Sequence, residues 1–216
     1  IYDELGRITE AGEAGDPAMG AQNFTDSLNS STYPLDSLKR DYTKTYYEDS
    51  YSPAIESVFA EGEQENLRNR IGAVEQRMAF YQKVGGDLEP IVGTEVRLIS
   101  SYSYDFHGNV KEMVQSNTDL EEHDQQNKRI AYEYDLISGN VKEVAYQKDS
   151  LDEWRHRYHY DANNRLIRAW TSDDGENWEM EAKYFYYLHG PLARVETGHD
   201  KVQGTDFAYN LQGWLK

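Results

Sequence analysis

His156 and His159 are the residues whose type most directly suggests chemistry, because paired imidazoles are common metal ligands. On a strand, an offset of three puts them on opposite faces, so they cannot chelate one ion together. His107 and His189 stand just before glycine in turn-like stretches, and His123 and His199 have no evident partner. Carboxylates are the other resource: 39 Asp and Glu against 22 Lys and Arg give a net charge of −17. A hydrolase using paired acids is therefore one function class. Yet so many acids produce chance pairs, and nothing marks two of them as buried. Without cysteine there is no thiol nucleophile, thiolate metal site or disulfide. No Gly-x-Ser-x-Gly elbow, phosphate loop or dinucleotide fingerprint occurs. The sequence assigns no catalytic residue, no metal and no cofactor.

Binding offers more. Trp154, Trp170 and Trp178 are candidate stacking residues for a sugar, helped by Tyr158. The competing reading is that rings recurring at strand positions pack against one another. Residues 171–178, "TSDDGENW", resemble the Asp-box turn of sialidases through Thr171, Asp173, Gly175 and Trp178. That resemblance implies an Asp bonded to turn amides with the Trp packed beneath. Calcium at Asp173 and Asp174 is the alternative, but calcium takes about 6–8 oxygens and few lie nearby. The acidic balance repels phosphate backbones and anionic lipid, so neither nucleic acid nor membrane insertion is expected. No apolar run is long enough to make a spanning helix.

The elements that carry these residues recur. Tyr104, Tyr134, Tyr160, Tyr186 and Tyr209 anchor five copies at intervals of 30, 26, 26 and 23 residues. Two residues earlier stand Tyr102, Tyr132, Tyr158, Tyr184 and Phe207, on the same face of a strand. Asp105, Asp135, Asp161, Tyr187 and Asn210 follow the anchors; Asp and Asn start turns by bonding backbone two residues on. Gly108, Gly139, Asn164, Gly190 and Gly213, with Gly6 in a first partial copy, occupy a position that predicts positive φ. The Gly139 copy carries one extra residue. Ile8, Val110, Val141, Leu166, Leu192 and Leu215 then start a returning strand. Each copy predicts an antiparallel β-hairpin, and neighbouring hairpins stack rings at roughly 0.2–1 kcal/mol per cross-strand pair.

"YDELGRI", "YSYDFHGNV", "YEYDLISGNV" and "YHYDANNRL" resemble the YD repeats of the Rhs family, and residues 94–216 look like the arrays of large Rhs-type proteins from Bacteroidetes. The resemblance covers residues 94–216 and 1–12. It implies a mainly β fold in which repeated hairpins form a curved or spiral sheet, part of a shell that encloses or displays a toxin or effector domain. It also implies a secreted or cell-surface bacterial location. Members that release cargo carry paired Asp-Pro motifs after the repeats; this sequence has one, Asp16–Pro17, so no protease residues carry over.

The expected organisation is a partial repeat at 1–12, an irregular insertion at 13–93, and the array at 94–216. Within the insertion, a degenerate copy at about 42–82 would end a strand at Tyr47–Glu48 and return at Asn69–Ile71. Leu67, Ile71, Val74, Met78 and Tyr81 instead follow helical spacing. Because the opening residues already fall inside a copy, the chain reads as a piece of something longer or a processed product. The expected role is non-enzymatic, with the rest of a longer Rhs-type chain or an enclosed effector as partner. The alternatives are a surface module binding glycans and the paired-acid hydrolase.

Overall fold

Ring-and-polar alternation before each turn and apolar residues after it give a fold that is mainly β, with antiparallel strands and almost no helix. The computed structural model describes residues 1–14, 39–78, 81–84, 87–90, 96–123 and 125–216; the polar stretch "SLNSST" and Asp16–Pro17 lie outside them. The chain divides into two units, Ile1–Lys128 and Arg129–Lys216.

In the N-terminal unit, β1 (Glu10–Ala14), β2 (Lys39–Tyr47) and β3 (Ile71–Met78) are followed by a separate hairpin of β4 (Tyr81–Val84) and β5 (Asp87–Pro90). β6 (Val96–Tyr104) and β7 (Val110–Asn117) then complete the ladder β1-β2-β3-β6-β7. A 3-10 turn at Thr118–His123 follows β7. The helical spacing around Ile71 corresponds to no helix. β3 has hydrogen-bonded partners on both sides, β2 and β6, and that tertiary pairing overrides a pattern read from spacing.

The C-terminal unit runs in chain order through β8 (Asn127–Tyr134), β9 (Val141–Tyr146), β10 (Trp154–Tyr160), β11 (Leu166–Ser172), β12 (Glu179–Tyr186), β13 (Leu192–Thr197) and β14 (Gln203–Asp206). Isolated bridges Tyr2–Ile8 and Tyr209–Leu215 mark two further hairpin ends.

Each full repeat hairpin, though not β4–β5, carries the same irregularity. Ser103 pairs with Glu112, but Tyr104 pairs with Val110, leaving Lys111 as an extra residue. The same slip precedes Tyr47, Tyr134, Tyr160 and Tyr186, leaving Gly72, Lys142, Ile167 and Ala193. These are β-bulges, which bend the strand and increase its twist. The extra residue keeps anchor tyrosine and returning apolar residue on the ring face.

The buried part of the N-terminal unit lies behind the rings. Ala73, Glu75, Ile99, Ser101, Ser103, Val114 and Ser116 are buried, whereas Tyr102 and Tyr104, pointing the other way, are half-buried. The segment between Tyr47 and Ile71 folds over this face. It starts a short helix, α1 (Pro53–Glu56), where the Ser52 side chain accepts from the Ile55 amide and Pro53 opens the first turn. Ile55 and Phe59 pack against Ile99 and Val114, each burial worth roughly 1.5–3 kcal/mol. The Ala60 amide donates to Glu112 and the Glu65 amide to Ser103 Oγ, so these two polar sheet residues beneath are bonded.

Glu75 sits fully buried in this layer. It accepts from Tyr46 (2.9 Å), Tyr51 (3.2 Å) and Arg77 Nε (2.7 Å). Burial pushes its carboxyl up, and the Arg77 and tyrosine hydrogen bonds outweigh that, leaving it below the usual carboxylate range. Burial drives the Tyr46 and Tyr51 hydroxyls upward in turn.

Candidate functional site: the seam between repeats

Turn chemistry builds the seam. Asp105 Oδ1 accepts from the Gly108 and Asn109 amides, Asp161 Oδ1 from Asn163 and Arg165, and Asn210 Oδ1 from Gln212 and Trp214. Asp135 holds Ile137 and Ser138 in the longer copy, where the closing bond runs from Asp135 to Asn140. The next position has positive φ throughout, from +60° at Asn164 to +116° at Gly190. The Arg165 side chain holds Asp161 below the usual carboxylate range, and the Ser138 amide does the same for Asp135.

Across the seam, the anchor hydroxyl of one copy donates to the backbone carbonyl that starts the return strand of the copy before it. Tyr47 donates to Ile8 (3.1 Å), Tyr104 to Ile71 (2.8 Å), Tyr160 to Val141 (2.9 Å) and Tyr186 to Leu166 (2.7 Å). Where Arg precedes that apolar residue, its guanidinium covers the same ring. Arg7 lies 4.4 Å from the Tyr47 centroid, Arg70 5.3 Å from Tyr104, and Arg165 4.6 Å from Tyr186. Each contact is worth roughly 0.5–1 kcal/mol when exposed. The last seam reverses the direction: Tyr187, standing where other copies have Asp or Asn, donates to the Phe207 carbonyl and packs edge-on against Tyr209.

This explains why the anchor is Tyr rather than Phe. Ring burial alone would accept either; only the hydroxyl closes the seam. Changing Tyr104, Tyr160 and Tyr186 singly to Phe is expected to cost about 1 kcal/mol each, and the triple variant about 3 kcal/mol if the sites add. Denaturant titration checks this, and a triple variant as stable as the parent would show the hydroxyls idle.

The other candidates are placed as follows. His156 stacks on Tyr158 (6.3 Å, 5° between planes), while His159 packs on Trp170 (4.4 Å) from the opposite face. His107, His123, His189 and His199 are exposed. Among the described residues, no three His, Cys, Asp or Glu gather to hold an ion. In the Asp-box stretch the working carboxylate is Asp174, one residue beyond the Asp173 of the sequence pattern. It accepts from the Glu176 and Asn177 amides, which hold it far below the usual range, and Ser172 Oγ accepts from Gly175. Thr171 turns away to donate to Glu181. Trp178 Nε1 donates to the Gly175 carbonyl, and Arg157 lies 3.6 Å over its ring. Trp170 meets His159, so of the three tryptophans Trp154 is the most open, at 43% exposure. Arg155 and Arg157 share Glu143 on the face opposite the tyrosines.

Strand order, hairpin turns and seam define an antiparallel β-hairpin repeat protein. No family model matches the chain, and no curated protein matches it. Among solved structures it is similar to a chain of the TcdB2-TccC3-Cdc42 complex, at 11% identity and a TM-score of 0.43, covering 82% of this chain and 10% of that one. It is also similar to a porin-like protein from Bacteroides uniformis ATCC 8492, at 9% identity and a TM-score of 0.32, covering 81% and 80%. This chain thus spans about a tenth of the first of these. Likenesses this loose bear on no function, which rests on the geometry above.

Proposed function

We propose that this chain is a structural β-repeat segment of a secreted or surface protein of the Rhs/YD-repeat type, forming part of a wall that encloses or displays a toxin or effector domain. The observation that carries this reading is one seam made four times over: hydroxyl to carbonyl, with a bulge in the same register of each repeat hairpin. Bulges stacked at one end of successive hairpins add twist in one sense, which suits a wall that curls. On this reading the role is structural, without catalysis or a cofactor. At the described turns and seams, polar groups cap turns, join copies or pair as ions.

Limited proteolysis of the intact parent protein is the test. A protected domain should survive digestion and become cleavable when the Tyr104, Tyr160 and Tyr186 seams are changed to Phe. Complete digestion of everything but the repeats in the unmodified parent would defeat the proposal. A second reading, glycan binding, is favoured by one observation: Trp154, His156 and Tyr158 line up along β10, with Trp154 exposed. Binding on a glycan array that Trp154→Ala abolishes would support it, and an empty array would remove it.

A further inference from the structure

Turn residues are ordinarily polar, yet the residue two beyond the anchor is apolar in all five copies: Phe106, Leu136, Ala162, Leu188 and Leu211. The larger ones are bare. Leu136 is 80% exposed, its neighbour Ile137 98%, and Leu188 and Leu211 are fully exposed. The turns close without them, through backbone bonds and the positive-φ residue, helped by an Asp or Asn side chain in every copy but that of Leu188.

In the C-terminal unit these tips form one row. Asn140 donates to Asn164 Oδ1 (3.1 Å), joining the first tip to the second. Arg165 donates to the Gly190 carbonyl (3.4 Å), joining the second to the third. Tyr187 packs on Tyr209, joining the third to the fourth. With two strands per copy, apolar side chains recur about every 10 Å.

Charge singles out the same end. Residues 135–140, 161–165, 187–191 and 210–214 contain Asp135, Asp161 and Arg165 as their formal charges, a net of −1. The loops at the other end of the strands, 147–153, 173–177 and 198–202, contain seven acids and two bases, a net of −5. In a protein carrying −17, another copy can approach the tip row with less repulsion than it would meet at the opposite loops.

We infer that the turn-tip row of the C-terminal unit docks against the same row of a second copy of this chain. The two rows share one period, so an antiparallel pairing sets leucines of one copy between leucines of the other, a self-complementary contact of the kind two-fold dimers use. A strip one turn wide falls short of the roughly 800 Å² per partner of a standard interface, so the pair is weak and concentration-dependent. The inference does not depend on what the repeat wall encloses.

Sedimentation of the 216-residue chain between about 10 µM and 1 mM tests it. The wild type should shift toward dimer. Combining Leu136→Ser, Ile137→Ser, Leu188→Ser and Leu211→Ser should remove the shift. Leu151→Ser with Val202→Ser, equally bare but at the acidic end, should leave it intact. Because the chain has no cysteine, Ala162→Cys gives a single spin-label site in an otherwise unaltered row. A dipolar signal between copies is expected there, and this readout stands even if the quadruple variant misfolds. A wild type monomeric throughout, or a dimer lost equally in the acidic-end variant, overturns the inference. So does a monomer that instead binds neutral phosphatidylcholine vesicles through the row, which would assign the tips to lipid.

Discussion

Glu75→Ala lowers the unfolding free energy of the N-terminal unit by about 3 kcal/mol, the lower end of the range for removing one partner of a buried ion pair. The substitution strips the acceptor from Tyr46, Tyr51 and Arg77 at once, beneath a segment that keeps water away. Arg77 is part-exposed and regains some hydration, which keeps the loss at the lower end. Against a typical domain stability of about 5–15 kcal/mol this is a large fraction. Glu75→Gln, which retains one carbonyl acceptor, should recover part of the loss. Denaturant titration followed by far-ultraviolet circular dichroism reads both. A loss below about 1 kcal/mol for the alanine variant would mean that the tyrosines and Arg77 find other partners.

Gly72→Ala is expected to cost about 3 kcal/mol as well, at the top of the range for overpacking. A Cβ at Gly72 would lie 2.0 Å from the Asp49 carbonyl oxygen and 2.9 Å from its carbon. The obstacle is backbone, so no rotamer relieves it. The cause is local: Gly72 is the bulged residue of the β2–β3 pair, and the covering segment leaves the sheet directly above it. Other copies tolerate Lys111, Lys142, Ile167 and Ala193 at the same place because a tight turn passes clear of the bulge. Lys142→Ala should therefore change stability by less than about 0.5 kcal/mol. Comparable losses for the two variants would show that the bulge itself, rather than Asp49, sets the demand for glycine.

What the sequence made legible is whatever lies within one copy. Tyr-x-Tyr-Asp with its turn and returning apolar residue determines strand, cap and positive φ over about ten residues, because the bonds involved are local. The seam is not local. Tyr104 and Ile71 are 33 residues apart and Tyr47 and Ile8 are 39 apart, and no spacing rule announces a hydroxyl aimed at a carbonyl. A signal was nonetheless present: 18 Tyr against 6 Phe is a bias that packing alone does not require. The bulge was hidden because a slip of one residue leaves the apolar pattern intact. In the Asp-box stretch Thr171-Ser172 and Asp173-Asp174 offer two frames one position apart, and the turn bonds accepted by Asp174 select the second. The exposure of the apolar tips shows in three dimensions alone.

Residues 48–70 replace a turn that elsewhere needs five or six residues, yet Tyr47 and Ile71 meet in the register of every other copy. The hairpin tip is therefore a docking port for new polypeptide: sequence can be spliced in there without disturbing the ladder. Chains of this kind can diversify by grafting at their tips, leaving the wall itself unaltered while its decoration changes.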